Sequence, residues 1–140
     1  MNMKLIILLS TLFSLNANAE IPNKNNSNFS YIGEKYTVYI LSHCENPIDC
    51  RLLTARFINN DTKKTFDIKK GETINIGYGR NLRGFLFYGK NNDYMFNQPV
   101  KGDDLDKWDF RIVKKGHTDN MNNLDANTIY KEKGDYFYIK

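Results

Sequence analysis

The stretch GYGRNLRGFLFYGK, residues 77–90, carries four glycines and two arginines and runs directly into Phe85-Leu86-Phe87-Tyr88. Two structures compete for it: a glycine loop that cradles a phosphate, or a bend between strands of a small β protein. A phosphate loop needs a helix N-terminus behind it, where unpaired backbone N–H groups and the helix dipole hold the anion. Gly84 instead leads into a run of aromatic and apolar residues with strand character. The spacing also fails, because the third glycine comes late for G-x-G-x-x-G and no Lys-Ser/Thr follows Gly84. The stretch is therefore expected to be a bulged or tightly bent β connection whose glycines take positive φ. Tyr78, Arg80 and Arg83 then stand at a loop tip as partner-contact residues, since Arg and Tyr are enriched in interface hot spots.

Outward from this stretch the pattern is β throughout. Upstream, Lys35–Ser42 places Tyr36, Val38 and Ile40 on one face, and Arg51–Asn59 does the same with Leu53, Ala55 and Phe57. Asn59-Asn60-Asp61 is turn chemistry, so Lys64–Ile68 returns as a hairpin partner. Lys69–Glu72 reads as another turn before a short strand, Thr73–Ile76. Downstream, Gly84–Tyr88 and Tyr94–Asn97 form a second hairpin, and Asp106–Lys114 alternates Trp108, Phe110 and Ile112 against Asp109, Arg111 and Val113. The tail reads as a last hairpin turning at Lys133-Gly134-Asp135. The expected fold is all-β, a small antiparallel sandwich or barrel of about seven to nine short strands with one disulfide.

Residues 1–19 read as a signal peptide: Lys4, an apolar run from Leu5 to Leu15, and Ala17-Asn18-Ala19 ahead of the cleavage point. The run is too short for a bilayer core, which takes about 20 residues, so no stable membrane insertion is expected after cleavage. Residues 20–30 are polar and read as a flexible leader, leaving 31–140 as a single β domain. Cys44 and Cys50, the chain's two cysteines, pair most simply as a disulfide in an oxidising compartment, periplasmic or secreted. A metal site using His43, Cys44, Cys50 and His117 lacks the paired ligand spacing of zinc modules, so no metal or other cofactor is expected. Abundant Asn, Lys and Ile point to a bacterial protein from an AT-rich genome, which makes the N-x-[ST] matches incidental.

Of 20 basic residues Lys4 leaves with the signal, so 19 face 16 acids, a net of +3. That is too mild and too scattered for a nucleic-acid partner. Catalytic residues are not expected either. Ser42 and His43 are neighbours on a strand end and point to opposite faces, and the other mature serines, Ser27 and Ser30, lie in the flexible leader. The acids from Asp103 to Asp109 lack the positions of a calcium loop and read as a solvated turn. Exposed aromatics near Tyr88, Tyr94 and Phe96, or Tyr136 and Tyr138, would mark an interface, although strands favour aromatics for packing alone. The expectation is an exported binding protein, an inhibitor or immunity-type protein that blocks a cell-wall-directed enzyme or toxin bearing an acidic surface or cleft. The alternatives are a secreted hydrolase or toxin using His117 or the Asp103–Asp109 cluster, and a structural subunit of an envelope assembly.

Overall fold

The computed structural model describes residues 20–76, 81–99 and 107–139. Eight strands follow one another: β1 (Phe29–Gly33), β2 (Tyr36–Ser42), β3 (Leu53–Asn59), β4 (Thr65–Ile76), β5 (Asn81–Tyr88), β6 (Asn92–Asn97), β7 (Lys107–Lys114) and β8 (Thr128–Tyr138). Each pairs antiparallel with the next, and β8 pairs with β1 from Phe29↔Tyr138 to Gly33↔Gly134, closing an up-and-down barrel. The expected small antiparallel barrel with one disulfide is the observed architecture, with Cys44 bonded to Cys50. Closure gives every strand a neighbour on each side, although residues 65–70 of β4 have no β5 partner.

Two expected turns are strand interiors, and both contain a glycine. Lys69–Glu72 lies inside the twelve-residue β4. The extra residue there is absorbed as a bulge, since Leu53 pairs with Gly71 while Ala55 pairs with Ile68. Lys133-Gly134-Asp135 lies inside the eleven-residue β8. In each case an aromatic ring occupies the space where a side chain would be. A Cβ at Gly71 would lie 2.3 Å from the Phe87 ring, and one at Gly134 would lie 2.5 Å from the Tyr31 ring. The glycines are needed for close approach rather than for turning. The expected bulged β connection is present next to Gly84, but not through that glycine's φ. The β4–β5 register shifts between Ile74↔Gly84 and Asn75↔Leu82, leaving Arg83 as the bulged residue, yet Gly84 does not take positive φ. Gly77 and Gly79 lie outside the described residues.

The chain also enters the sheet earlier than expected. Phe29 and Ser30, assigned to the leader, belong to β1, and Phe29 is fully buried against the Phe85 ring. Asn28 donates its backbone N–H to Ile40 O, and its side chain accepts from the Ser42 amide. One large buried aromatic thus draws the preceding polar residues onto the barrel.

Inward-facing side chains fill the interior. Phe96 and Phe110 have ring centroids 4.7 Å apart, Phe57 and Phe87 meet edge-on at 6.0 Å, and Trp108 stacks on Tyr136 at 4.0 Å. An eight-stranded barrel is just wide enough to be filled by its own side chains, and aromatics fill this one. The loop from His43 to Leu52, stapled by the disulfide, packs Cys44, Ile48 and Cys50 against the core at one end. The other end carries the β1–β2, β3–β4 and β5–β6 turns and the β7–β8 connection, which includes two short 3₁₀ segments at Met121–Asn123 and Asp125–Asn127. Inside that end Glu132 is fully engaged: Tyr31 and Tyr130 hydroxyls donate to its carboxylate at 3.0 and 2.6 Å, and the Lys35 amide donates at 3.0 Å.

Candidate functional site

Of the residues expected to contact a partner, Tyr78 and Arg80 lie outside the described residues. Arg83 is exposed at the β5 bulge and donates Nη1 to Gln98 Oε1 at 2.9 Å. The histidines stand apart. His43 Nε2 is 2.9 Å from Thr54 Oγ1, and His117 is exposed in the β7–β8 connection. Ser42 Oγ accepts from the Cys44 amide. Among the described residues no three His, Cys, Asp or Glu side chains gather as metal ligands. Of the expected acidic cluster, Asp103, Asp104 and Asp106 lie outside the described residues, and Asp109 projects from the outer face of β7 to Lys133 Nζ at 2.8 Å.

A filled barrel leaves its outside for binding, and two surfaces there have structure. The first is at the turn-bearing end, around Tyr88. Lys70 and Lys115 place their ammonium groups 5.2 and 5.4 Å from the centre of the Tyr88 ring, within cation–π range. A hollow of 390 Å³ opens beside them, lined by Phe66, Lys69, Lys70, Tyr88, Lys90 and Tyr94. It exists because the first half of β4 has no β5 partner: the β4–β5 ladder begins only at Gly71↔Phe87. Two acids near these lysines are engaged. Glu72 accepts from the Tyr88 hydroxyl at 2.9 Å, and the buried Asp93 holds Lys115 Nζ and the Gly116 amide, each at 2.9 Å. Burial, then the hydrogen bond to Glu72, pushes the Tyr88 hydroxyl up to about 12, so the ring stays neutral at ordinary pH. Lys69, Lys70, Lys90 and Lys114 remain exposed.

The second surface is a groove of 850 Å³ on the outer face of β4 to β7. The β4 bulge turns Ile74 and Ile76 outward, where they join Leu86 and Met95, while Met121 of the β7–β8 connection overhangs them. Leu124 from the same connection packs on Leu86, Met95 and Val113 in a small core of its own. Arg111, Asp109 and Arg83 supply most of the charge of the groove.

The lysine-rich end escapes sequence reasoning because Lys69–Glu72 reads locally as a turn. The legible signal is the recurrence of lysine doublets: Lys63-Lys64 and Lys114-Lys115 fall at strand ends that an up-and-down fold brings to one pole, and Lys69-Lys70 follows within the first half of β4. Arg111 had no such signal, because an outward arginine on an alternating strand is ordinary. Of the aromatics expected in an exposed patch, Phe96 is core, whereas Tyr88 and Tyr94 do reach the hollow. No protein-family model, curated protein or solved structure matches the chain.

Proposed function

We propose that this is an exported, non-catalytic binding protein of the inhibitor or immunity type, which blocks a cell-wall-directed enzyme or toxin by seating its lysine-rich end in an acidic cleft. One observation carries the reading. Lys69, Lys70, Lys90 and Lys115 gather around Tyr88 beside an aromatic-floored hollow, on a barrel whose interior is already full. A carrier of the barrel type needs an internal cavity, which the Phe96–Phe110 and Phe57–Phe87 contacts occupy. Clustered like charges with their local acids engaged steer an oppositely charged partner and exclude basic ones. Tyr88 and Phe66 supply the apolar anchors that interface centres use.

The test is inhibition. The purified protein is added to cell-wall hydrolases and toxin domains that have acidic clefts, and turnover is followed at low and high salt. Inhibition that weakens with salt and is lost in a Lys69→Glu, Lys70→Glu, Lys90→Glu variant supports the assignment. Inhibition that survives this variant but is lost in Arg80→Glu, Arg83→Glu moves the contact to the β4–β5 loop. No inhibition of any such enzyme sinks the function itself.

A further inference from the structure

We propose that the outer-face groove is a second binding site, independent of the lysine-rich end, which takes an acyl chain carrying an anionic head. The argument starts from Arg111. Its side chain is 11% exposed, yet among the described residues its guanidinium makes no hydrogen bond. Nε has no partner, Nη1 is 3.9 Å from Asp109 Oδ2, and Nη2 is 3.8 Å from Asp125 Oδ1, both beyond hydrogen-bond distance. A buried cation is costly unless it is paired and hydrogen-bonded. Of the two carboxylates, Asp109 already has another cation beside it, since Lys133 Nζ lies 2.8 Å from its Oδ1. The other belongs to Asp125, which is 86% exposed. Lys131 stands opposite Arg111 in the β7–β8 ladder, and Arg83 lines the same groove, so among the described residues cations outnumber carboxylates here.

The guanidinium fork matches a carboxylate or phosphate, accepted through two parallel N–H donors. The rest of the groove matches a chain. Ile74, Leu86, Met95 and Met121 line it with apolar surface, and its 850 Å³ lies within the roughly 300–1,000 Å³ of small-molecule sites. Flexible methionines suit an acyl chain of variable path. Head and tail sites adjoin, so the ligand is amphipathic: Arg111 fixes the anionic end, and the chain covers the exposed side chains of Ile76 and Met121 above a floor of Leu86 and Met95.

Dodecanoate, used below its micellar concentration, is the probe. Calorimetry is expected to find one molecule bound per chain, with amide shifts at Ile74, Leu86, Met95 and Met121 by NMR. Dodecyl phosphate binds too if the head site reads charge and fork geometry alone, whereas dodecyltrimethylammonium does not. Arg111→Gln weakens dodecanoate by about tenfold or more and leaves dodecanol unchanged. Should Arg111→Gln fail to fold, Met121→Trp, at an exposed rim position, blocks the chain site instead. No dodecanoate binding, equal binding of the cationic amphiphile, or shifts confined to the lysine-rich end would overturn the proposal. None of these results bears on whether the lysine-rich end inhibits an enzyme.

Discussion

Gly84 on β5 lies so close to Phe96 on β6 that a Cβ at position 84 would sit 2.1 Å from the Phe96 carbonyl oxygen. That oxygen cannot retreat without moving β6, whose Phe96 ring packs on Phe110 in the core. Gly84→Ala is therefore expected to destabilise the barrel by about 1–3 kcal/mol, the usual range for overpacking. Gly116 is the control, because it has φ of +82° and nothing within 4 Å of an added Cβ. There an alanine meets only backbone strain of about 1–2 kcal/mol, without displacing a neighbour. Urea unfolding of both variants checks the difference, along with NMR shifts on β6 that Gly84→Ala should show and Gly116→Ala should not. An undisturbed β6 in Gly84→Ala counts against this account.

Asp93 and Lys115 form a second site where one residue fixes another. The Asp93 side chain is 1% exposed, and Lys115 Nζ and the Gly116 amide are its donors. Lys115→Met should cost about 2 kcal/mol, because a buried carboxylate is left with one donor. The cost is not larger because the Lys115 end of the pair is half exposed. Adding Asp93→Asn removes the stranded charge and should recover part of the loss. A double-mutant cycle measures this, and additive effects would show that the pair is uncoupled.

The strands that alternate cleanly were legible in the sequence. Tyr36-Val38-Ile40, Leu53-Ala55-Phe57 and Trp108-Phe110-Ile112 each put three residues on one face, and those faces do point into the barrel. What misled was glycine. Gly71 and Gly134 suggest turns when read locally, but each lies where a ring from another strand, Phe87 or Tyr31, presses on the backbone. That pressure exists only after the barrel closes, so no local pattern reports it. The same non-local cause hides the groove: Ile74 and Ile76 look like core until the β4 bulge turns them outward. Arg111 becomes conspicuous only when its missing hydrogen-bond partners can be counted.

Alkaline pH should loosen the barrel. Burial is the leading cause that raises the hydroxyls of Tyr31, Tyr88, Tyr130 and Tyr136, with Tyr88 at about 12. In the unfolded chain they ionise near 10. Above that value the folded state holds protons that the unfolded state has lost, so stability falls as pH rises. The contribution is complete below about 10 and is lost as pH climbs to about 12 and beyond. Tm should hold steady to about pH 9 and then fall. Tyr136→Phe should flatten the fall, because its shift arises chiefly from burial, with no hydrogen bond involved. A Tm that stays level through pH 11 would rule out this linkage.

The disulfide end offers the last test. Cys44 and Cys50 close a short loop, but β4 also holds it: Thr73 Oγ1 accepts from the Cys50 amide at 2.9 Å, and Asn75 Nδ2 donates to Ile48 O at 2.8 Å. Loop-closure entropy for so short a span is worth about 2 kcal/mol. Cys44→Ala, Cys50→Ala should therefore lower stability by roughly that amount, and the barrel should still fold because both β4 contacts remain. Thr73→Val should cost more in the cysteine-free background than in the disulfide-bonded protein, since the hydrogen bonds then hold the loop without the covalent link. Denaturant unfolding of the four proteins gives the coupling directly. If Thr73→Val costs the same in both, the disulfide alone positions the loop and the β4 contacts follow from it.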